Sequence, residues 1–443
     1  MKIISSYQVK LMDHQGMLSE TVKIYRKAVA FLIDVANKEW DNLAATYAKG
    51  PNLARAILEG MTHATKAHPS PKYNFDARFY KFPSYFRRAA MSAALGAVSS
   101  YRSNLKVWEA NEKKGKQPTL TCERNVMPTF FNGNMSNSKK MLIGEQDTVL
   151  LKLYHNKDWV FVPIHCRHQD VKYLAKWWIS VRASAPTLEV RRRKGRSNVY
   201  CLRYAFTESR DLSLRDTSLE QRTILAVDLG INNDAVCSVM YADGTVVARK
   251  FINFPKEKDR LQHTLNRIKR LQREHGRTGG KHEWESVRRI NDQLTRLIAN
   301  AIVNTACEYG VNVIVFEHLS TSGKIHGSKK QRLHLWRKND IQQMVEHKAH
   351  RNLIRISRVC AWGTSKLAFD GSGEVKRDED NHSLCTFTTE KRYNCDLSAS
   401  YNIGARYFLR EMCSVNPNLM ETLPKASRRT YADLRNVNAH SAA

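Results

Sequence analysis

Residues Ile224–Asn233 read ILAVDLGINN, and this stretch decides the fold of the chain. Four apolar residues lead into Asp228, and Gly230 follows after one further residue. A short apolar run that ends in a turn signal predicts a buried strand. The carboxylate of Asp228 is therefore expected at the tip of that strand, where a buried sheet meets solvent.

Two other segments lead into an acid in the same way. Val311–Phe316 precedes Glu317, and Tyr393–Cys395 precedes Asp396. Carboxylate oxygens of this kind hold Mg²⁺, and a metal pair about 3.5–4 Å apart can clamp the attacking and leaving oxygens of a phosphodiester. Three carboxylates from separate elements of a basic chain therefore indicate a metal-dependent nuclease.

The composition indicates a polyanionic partner. The chain has 443 residues, 72 lysines plus arginines against 42 aspartates plus glutamates, and a formal net charge of +30. Neutralising phosphates releases counterions, so this surplus favours nucleic acid. No run of about 18 apolar residues predicts a membrane span, and nine scattered cysteines are typical of a reducing cytosol. We expect several domains, no membrane partner and a location in the prokaryotic cytoplasm.

The first half of the chain is expected to contain helices and then strands. Residues 1–12 alternate like a strand, and apolar helical spacing starts at Ser19 and again after Pro83-Ser84. Residues from about 120 to 215 read as β-hairpins, and 192–196 form a basic turn that either contacts phosphate or is simply solvated. The candidate nucleic-acid contacts are Arg87, Arg88, Arg191, Arg192, Arg193, Lys194, Arg196, Arg260, Arg267, Arg270 and Arg273.

From Thr223 onward the pattern becomes one of alternating strands and helices. The strand that ends at Asp228, two further strands and a helical insert over 256–305 match the start of an RNase H-like core. The same opening suits the sugar-kinase and actin-type ATPases, in which an Asp-x-Gly turn cradles phosphate. That alternative needs more glycine-rich loops, and Gly371–Gly373 is the one candidate. A third interpretation makes the acids helix caps or ion-pair partners.

The three acid-bearing segments resemble the RuvC motifs of the transposon-encoded TnpB nucleases and of the related miniature type V CRISPR effectors. The motifs are Val227–Asn233, Val315–Leu319 and Cys395–Ile403. The resemblance implies an RNA-guided DNA endonuclease with a single RuvC active site. In it Asp228, Glu317 and Asp396 would be the catalytic residues and would bind Mg²⁺ or Mn²⁺.

The resemblance also implies the partners, which would be a guide RNA and a target DNA. The protein would act as a monomer or as a homodimer on one guide. Two alternatives stay open: a guide-dependent DNA-binding protein without efficient cleavage, and an unguided nuclease of the RNase H fold. Both a transposon-encoded and a CRISPR-associated origin fit the size of the chain.

The predicted fold class is multidomain α+β, with an RNase H-like (RuvC) α/β catalytic core, an N-terminal β-barrel wedge domain and a helical recognition lobe. The predicted domains are the wedge over 1–12 and 120–215, the helical lobe over 13–119, the nuclease core over 222–358 and 394–412, a degenerate zinc-ribbon-like loop domain for target nucleic acid over 359–393, and a disordered tail over 413–443.

The region before Asp396 departs from the family in its cysteines. The family's zinc ribbon starts Thr-Ser-x-x-Cys-x-x-Cys. This chain keeps Thr364-Ser365 but has Ala368 and Gly371 at the two cysteine positions. A structural zinc site needs four closed nitrogen or sulfur ligands, so we expect no zinc. The candidate ligands that remain are Cys360, His382, Cys385 and Cys395.

Overall fold

The computed structural model describes residues 1–64, 69–122, 125–130, 140–178, 181–193, 195–212, 217–230, 232–276, 279–318, 337–379, 381 and 383–441. The chain forms two compact units, Lys2–Glu208 and Ser209–Ala443, and Met1 belongs to the second. In the described ranges, no helix is both long enough and apolar enough to cross a membrane.

The unit Lys2–Glu208 opens with one strand followed by helices. The elements are β1 (Lys2–Lys10), α1 (Gln15–Lys38), α2 (Trp40–Lys49), α3 (Pro51–Thr62), α4 (Phe75–Arg78) and α5 (Ser84–Ala110). Helix α1 begins at Gln15, earlier than the predicted Ser19, and buries an apolar stripe that includes Leu18 and Leu32. Pro83 stands directly before α5, where its missing N–H removes no helical hydrogen bond.

The rest of this unit is mostly β-structure. Its elements are β2 (Thr148–His155), β3 (Asp158–His165), α6 (His168–Trp178), β4 (Arg182–Ala183), β5 (Thr187–Arg193) and β6 (Arg196–Ser209). Strands β2 and β3 pair as the predicted hairpin. Its turn, Asn156-Lys157, has positive φ at both residues, which matches the right-handed twist of the flanking strands. Helix α6 was missed by the sequence reading.

The predicted closed β-barrel is wrong for the residues that the structure describes. Strand β6 pairs with β1, β4 and β5 in an open four-stranded sheet, while β2 and β3 form a separate two-stranded sheet. An isolated β-bridge pairs Leu11, just after β1, with Cys166, just after β3. Because β3 runs directly into α6, the chain turns helical where a closing strand would be needed.

Helices and strands of this unit share one apolar core. Trp159 on β3 packs against Phe82 and Phe86 at the start of α5, with ring centroids 5.3 and 5.5 Å apart. Phe86 also contacts Phe130, with centroids 5.2 Å apart. The segments predicted as a helical lobe and as a wedge domain therefore have a common core rather than two.

The unit Ser209–Ala443 is built on a five-stranded sheet. Its strands are β7 (Ile224–Asp228), β8 (Ala235–Met240), β9 (Val246–Ile252), β10 (Val313–His318) and β11 (Arg355–Cys360). The order across the sheet is β11-β10-β7-β8-β9. Strands β7, β8 and β9 form the predicted antiparallel meander, whereas β10 lies parallel to both β7 and β11.

Helices cover both faces of this sheet, so its central strands are apolar throughout. The helices are α7 (Pro255–His275), α8 (Lys281–Glu308), α9 (Lys338–Arg351) and α10 (Cys395–Val415). Leu225 and Val227 pack in one core with residues of α8 and α9. Ile224 and Ala226 pack in another with residues of α10. Helices α7 and α8 form the hairpin predicted as the insert over 256–305.

A small antiparallel sheet precedes α10. It consists of β12 (Lys376–Arg377), β13 (Leu384–Thr386) and β14 (Arg392–Asn394). Its core contains Ala368, Cys385, Phe387 and Cys395. Ala368 is fully buried there. Apolar contacts hold this segment together.

The prediction of a disordered tail over 413–443 is wrong for the described residues. Helix α10 runs on to Val415, and α11 (Leu419–Thr422) and α12 (Tyr431–Ser441) follow. Leu434 is fully buried in the core beside α10. The hydroxyl of Tyr431 donates to the carbonyl of Gly244 over 2.6 Å. An apolar residue at every third position (Tyr431, Leu434 and Val437) gives the tail a face that packs on the sheet domain.

Candidate active site

Strand register places Asp228 and Glu317 side by side. Val227 on β7 pairs with Phe316 on the parallel strand β10, and the two acids are the next residues on their strands. Side chains alternate between the faces of a strand. Asp228 therefore shares the face of Ala226, and Glu317 shares the face of Val315, which is the face that α10 covers.

Asp396 comes to the same face from α10. It lies in the first turn of the helix, where Asn394 is the N-cap and accepts a hydrogen bond from the N–H of Leu397 over 2.9 Å. Ser400 ties the helix to β8 through a buried contact of 2.5 Å between its hydroxyl and that of Ser238. The side-chain amide of Asn233 donates to Asp396 Oδ2 over 3.0 Å.

Gly230 makes room for this arrangement. A Cβ atom at this position would lie 2.7 Å from the carbonyl oxygen of Asn233 and 3.9 Å from Asp396 Oδ2. A side chain there would push Asn233 away from the carboxylate that it holds. The glycine after Asp228 is therefore required by close approach of the backbone.

The electrostatics link the three acids. Burial raises the pKa of the Asp228 carboxyl well above its usual range, and the charges of Glu317 and Asp396 raise it further. Burial also raises the pKa of Glu317, against the hydrogen bond that Thr364 gives it. Carboxylates that repel one another at a desolvated edge favour a bound cation.

Two residues that the sequence reading missed act on these acids. Arg377 on β12 is exposed, and its charge lowers the pKa of Asp228. Thr364 is buried, and its hydroxyl donates to Glu317 Oε1. In the sequence the Thr364-Ser365 pair matches the start of the zinc-ribbon motif, and that pattern does not predict a hydrogen bond from Thr364 to an acid.

A buried polar network holds Thr364 in place. The side-chain amide of Asn402 donates to the carbonyls of Thr364 and Leu367 over 3.1 and 2.9 Å. Its oxygen accepts from the N–H of Tyr431 over 3.0 Å. Arg406, one turn further along α10, is 3% exposed and donates to backbone carbonyls of Cys360, Trp362, Ser427 and Arg429. The tail is thereby bonded to the loop that supports Glu317.

The donor set suits a hard divalent cation. Asp228, Glu317 and Asp396 offer carboxylate oxygens, the ligands that Mg²⁺ and Mn²⁺ prefer. In the described ranges, no group of three aspartate, glutamate, histidine or cysteine side chains is arranged so that it could hold a metal ion. The three acids thus share one face of the sheet, where they interact through their like charges without enclosing an ion.

The candidate zinc ligands do not gather as one set in the described residues. Cys385 and Cys395 are buried together, whereas Cys360 is exposed at the end of β11, and His382 lies outside the described residues. Burial raises the pKa of the Cys385 thiol to about 12 and also raises that of Cys395. A cysteine that binds zinc does so as a thiolate, and burial here disfavours that charged form of Cys385 and Cys395. The expectation of no zinc stays a prediction.

The basic candidates divide into buried and exposed residues. The structure contradicts the expectation that Arg87 contacts nucleic acid. This residue is 7% exposed and donates to Glu59 over 3.1 Å, which leaves it unable to reach a nucleic acid. Exposed side chains are Arg88, Arg191, Arg260, Arg267, Arg270 and Arg273. The side chains of Arg192, Arg193 and Arg196, and all of Lys194, lie outside the described residues.

Two of the exposed arginines line a cleft between α7 and α8. The cleft has a volume of about 380 Å³, and Arg260, Arg267 and Arg289 contribute to its wall. Glu283 also lines it and lies 3.4 Å from Arg267. The wall therefore carries both signs of charge, with arginine in excess.

Comparisons of sequence reach only the first unit. The Aq_aa04 family model matches residues 4–155. An uncharacterised protein of Aquifex aeolicus (strain VF5), aq_aa04, is 28% identical over 158 residues, which is 33% of this chain and 83% of that protein. The match ends well before Asp228, so it says nothing about the acids.

Comparisons of structure reach most of the chain. A Cas12f1 complex with guide RNA and target DNA has 14% identity and a TM-score of 0.47, covering 88% of this chain and 81% of that one. The mini-RNA-guided endonuclease CRISPR-Cas phi3 has 9% identity and a TM-score of 0.47, covering 91% and 92%. The C2c1 protein of Alicyclobacillus acidoterrestris has 12% identity and a TM-score of 0.42, covering 89% and 70%.

Proposed function

We propose that this protein is an RNA-guided endonuclease that cuts double-stranded DNA at a single metal-dependent site. One observation carries the proposal: Asp228 and Glu317 occupy neighbouring register positions on the sheet face that α10 covers, and Asp396 lies in the first turn of that helix. The strand order, with a three-stranded meander followed by parallel strands, supports the RNase H-like core that the sequence predicts.

The three carboxylates would hold Mg²⁺ or Mn²⁺. When bound, such ions supply an activated water and stabilise the leaving 3′ oxygen of a phosphodiester. The chain's own residues orient the acids: Thr364 donates to Glu317, and Asn233 donates to Asp396. The exposed guanidinium of Arg377, whose charge reaches Asp228, can attract the phosphate of the scissile strand.

The guide RNA and the DNA target are inferred from the sequence. The three acid motifs resemble those of TnpB and the miniature type V effectors, and the net charge of +30 suits a protein that holds a heteroduplex by its backbone while base pairing reads the sequence. A cytoplasmic location and a monomer or homodimer on one guide belong to the same proposal.

The decisive experiment purifies the full chain with its bound RNA, sequences that RNA, and offers matched double-stranded DNA with Mg²⁺. We expect one discrete RNA and cleavage of the matched DNA. Asp228→Ala should reduce the cleavage rate by at least about 10³-fold, because metal-assisted charge stabilisation contributes several kcal/mol. Asp259→Ala, at an exposed acid on α7, is the matched control and should cut normally.

Three other results are possible, and each would support a different function. Identical products from wild type and Asp228→Ala would remove the acids from the mechanism. Cleavage without any discrete RNA would identify an unguided nuclease. Guide-dependent binding of matched DNA without cleavage would identify a binding protein.

A further inference from the structure

A row of three aromatic rings, two of them exposed and one half-buried, lies at the surface of the unit Lys2–Glu208. Tyr173 and Trp177 stand four residues apart on α6, so they share one helix face, and they are 40% and 54% exposed. Tyr7 on β1 stacks on Tyr173, with ring centroids 4.5 Å apart and planes 19° apart. The centroids of Tyr173 and Trp177 are 6.5 Å apart.

These outer rings are not needed to fold the helix. The opposite side of α6 buries Val171, Leu174 and Trp178. Trp178 stacks on Phe206 of β6, with centroids 4.7 Å apart and planes 18° apart. Asp170 fixes the first turn by accepting from the backbone N–H of Lys10 over 3.0 Å. A firmly docked helix therefore carries its outer aromatic rings on a rigid base.

Lysines surround the row. Lys172 and Lys176 lie on the same outer side of α6 and are exposed. The ammonium group of Lys176 is 5.0 Å from the centroid of the Trp177 ring. Exposed rings beside cations are the combination with which proteins bind single-stranded nucleic acid, since rings stack on bases and cations neutralise phosphates.

We propose that the row Tyr7, Tyr173 and Trp177 is a stacking site for unpaired bases of single-stranded RNA or DNA. The site uses the rings for stacking and Lys172 and Lys176 for the backbone. The charge of the whole chain selects nucleic acid over an apolar protein partner as the occupant. The inference deepens the proposed function by naming where an unpaired strand lies, and it does not depend on the acids or on a metal.

The test measures binding of labelled oligouridylate and oligothymidylate to the full chain in EDTA. The variant Tyr173→Ala with Trp177→Ala should lose roughly tenfold in affinity for each base that no longer stacks, with the salt dependence unchanged. Tyr173→Phe with Trp177→Phe keeps the rings and should bind within about threefold of wild type. Comparing the two oligonucleotides tells which strand, RNA or DNA, uses the row.

The lysines give an independent signature. Lys172→Ala with Lys176→Ala should lower the slope of log affinity against log salt by roughly 1.4, at about 0.7 for each phosphate contact on a single strand. Unchanged affinity in the double alanine ring variant would overturn the proposal. The proposal would also be overturned if the double alanine ring variant changed between dimer and monomer in sedimentation while its affinity stayed the same. The row would then be an interface between copies of the chain. Oligonucleotide binding that depends on the rings, in a protein that never cuts DNA, would leave this site standing and remove the nuclease.

Discussion

In Ser209–Ala443 the residues assigned to chemistry are acids at the end of a buried sheet, whereas in Lys2–Glu208 the residues assigned to binding are exposed rings and cations. Burial gives Asp228 and Glu317 their raised pKa values. Exposure is what makes Trp177 and Arg88 available to a ligand. The proposed chemistry therefore depends on desolvation of the acids, whereas the proposed recognition depends on solvent exposure of the rings and cations.

The largest expected effect is a difference in stability between variants of two neighbouring arginines in the unit Lys2–Glu208. Arg87 has an 8% exposed side chain and donates to Glu59, while Arg88 has a 58% exposed side chain near the same acid. Arg87→Met should lower the free energy of unfolding by about 3 kcal/mol, because it removes the buried partner of Glu59 and leaves that acid only the 3.6 Å contact with the exposed Arg88. Thermal or urea unfolding measures this loss.

Arg88→Met is the matched control for that variant. It should change stability by less than about 0.5 kcal/mol and should lower the salt dependence of RNA binding by roughly 0.7 for one lost phosphate contact. The contrast breaks if Arg87→Met is as stable as wild type, or if it weakens RNA binding in a fully folded protein.

The next effect concerns the support of the acids. Thr364→Val keeps the shape of the side chain but removes the hydroxyl that donates to Glu317. The Mg²⁺ concentration for half-maximal cleavage should rise roughly 10- to 100-fold, as for other residues that orient metal ligands. Thr364→Ser retains the hydroxyl and should behave like wild type. Equal Mg²⁺ requirements for the valine and serine variants would remove Thr364 from the site.

The burial of the acids also predicts a pH dependence. The pKa values of Asp228 and Glu317 are raised in the folded protein, so the unfolded chain releases these protons first, near pH 4. Without metal, this contribution to stability is therefore fully present below about pH 4 and is lost as pH rises through the raised values, by about 1.4 kcal/mol for each pKa unit.

Unfolding in EDTA across this pH range measures that loss. Asp228→Asn with Glu317→Gln should flatten the profile. Mg²⁺ at neutral pH should stabilise the wild type and leave the double variant unchanged. Parallel profiles for the two proteins would mean that the carboxylates are not desolvated as the structure has them.

The same comparison explains what could be predicted from the sequence. Asp228 was predictable because an apolar strand run marks burial and its end marks the sheet edge. The helical insert was predictable from its apolar spacing. Thr364 acts from a turn and Arg377 from the two-residue strand β12, and the position of both depends on tertiary contacts. The aromatic row was missed because its rings, Tyr7 and those on α6, come together only when the helix docks on β1.

The sequence of the tail contains a helical pattern that its polar composition obscures. Its polar composition predicts disorder, yet Tyr431, Leu434 and Val437 repeat at helical spacing. Three apolar residues are too few to predict a helix in isolation. They are enough once Asn402 and Arg406 on α10 offer bonds to the tail backbone. Tertiary contacts therefore override the local composition.

A final prediction tests the basic hairpin turn of the unit Lys2–Glu208. Replacing Arg192, Arg193 and Lys194 together with alanine should weaken RNA binding and lower its salt slope by roughly 2, at about 0.7 for each phosphate contact. The exposed residues Lys113, Lys114 and Lys116 after α5 provide a triple alanine control with the same loss of charge. A smaller change in this control means that the hairpin touches phosphate directly. Equal changes mean that both triples act only through the general charge of the chain. An unchanged slope in the hairpin variant makes the turn a solvated loop, and recognition by this unit then depends on α5, α6 and their exposed side chains.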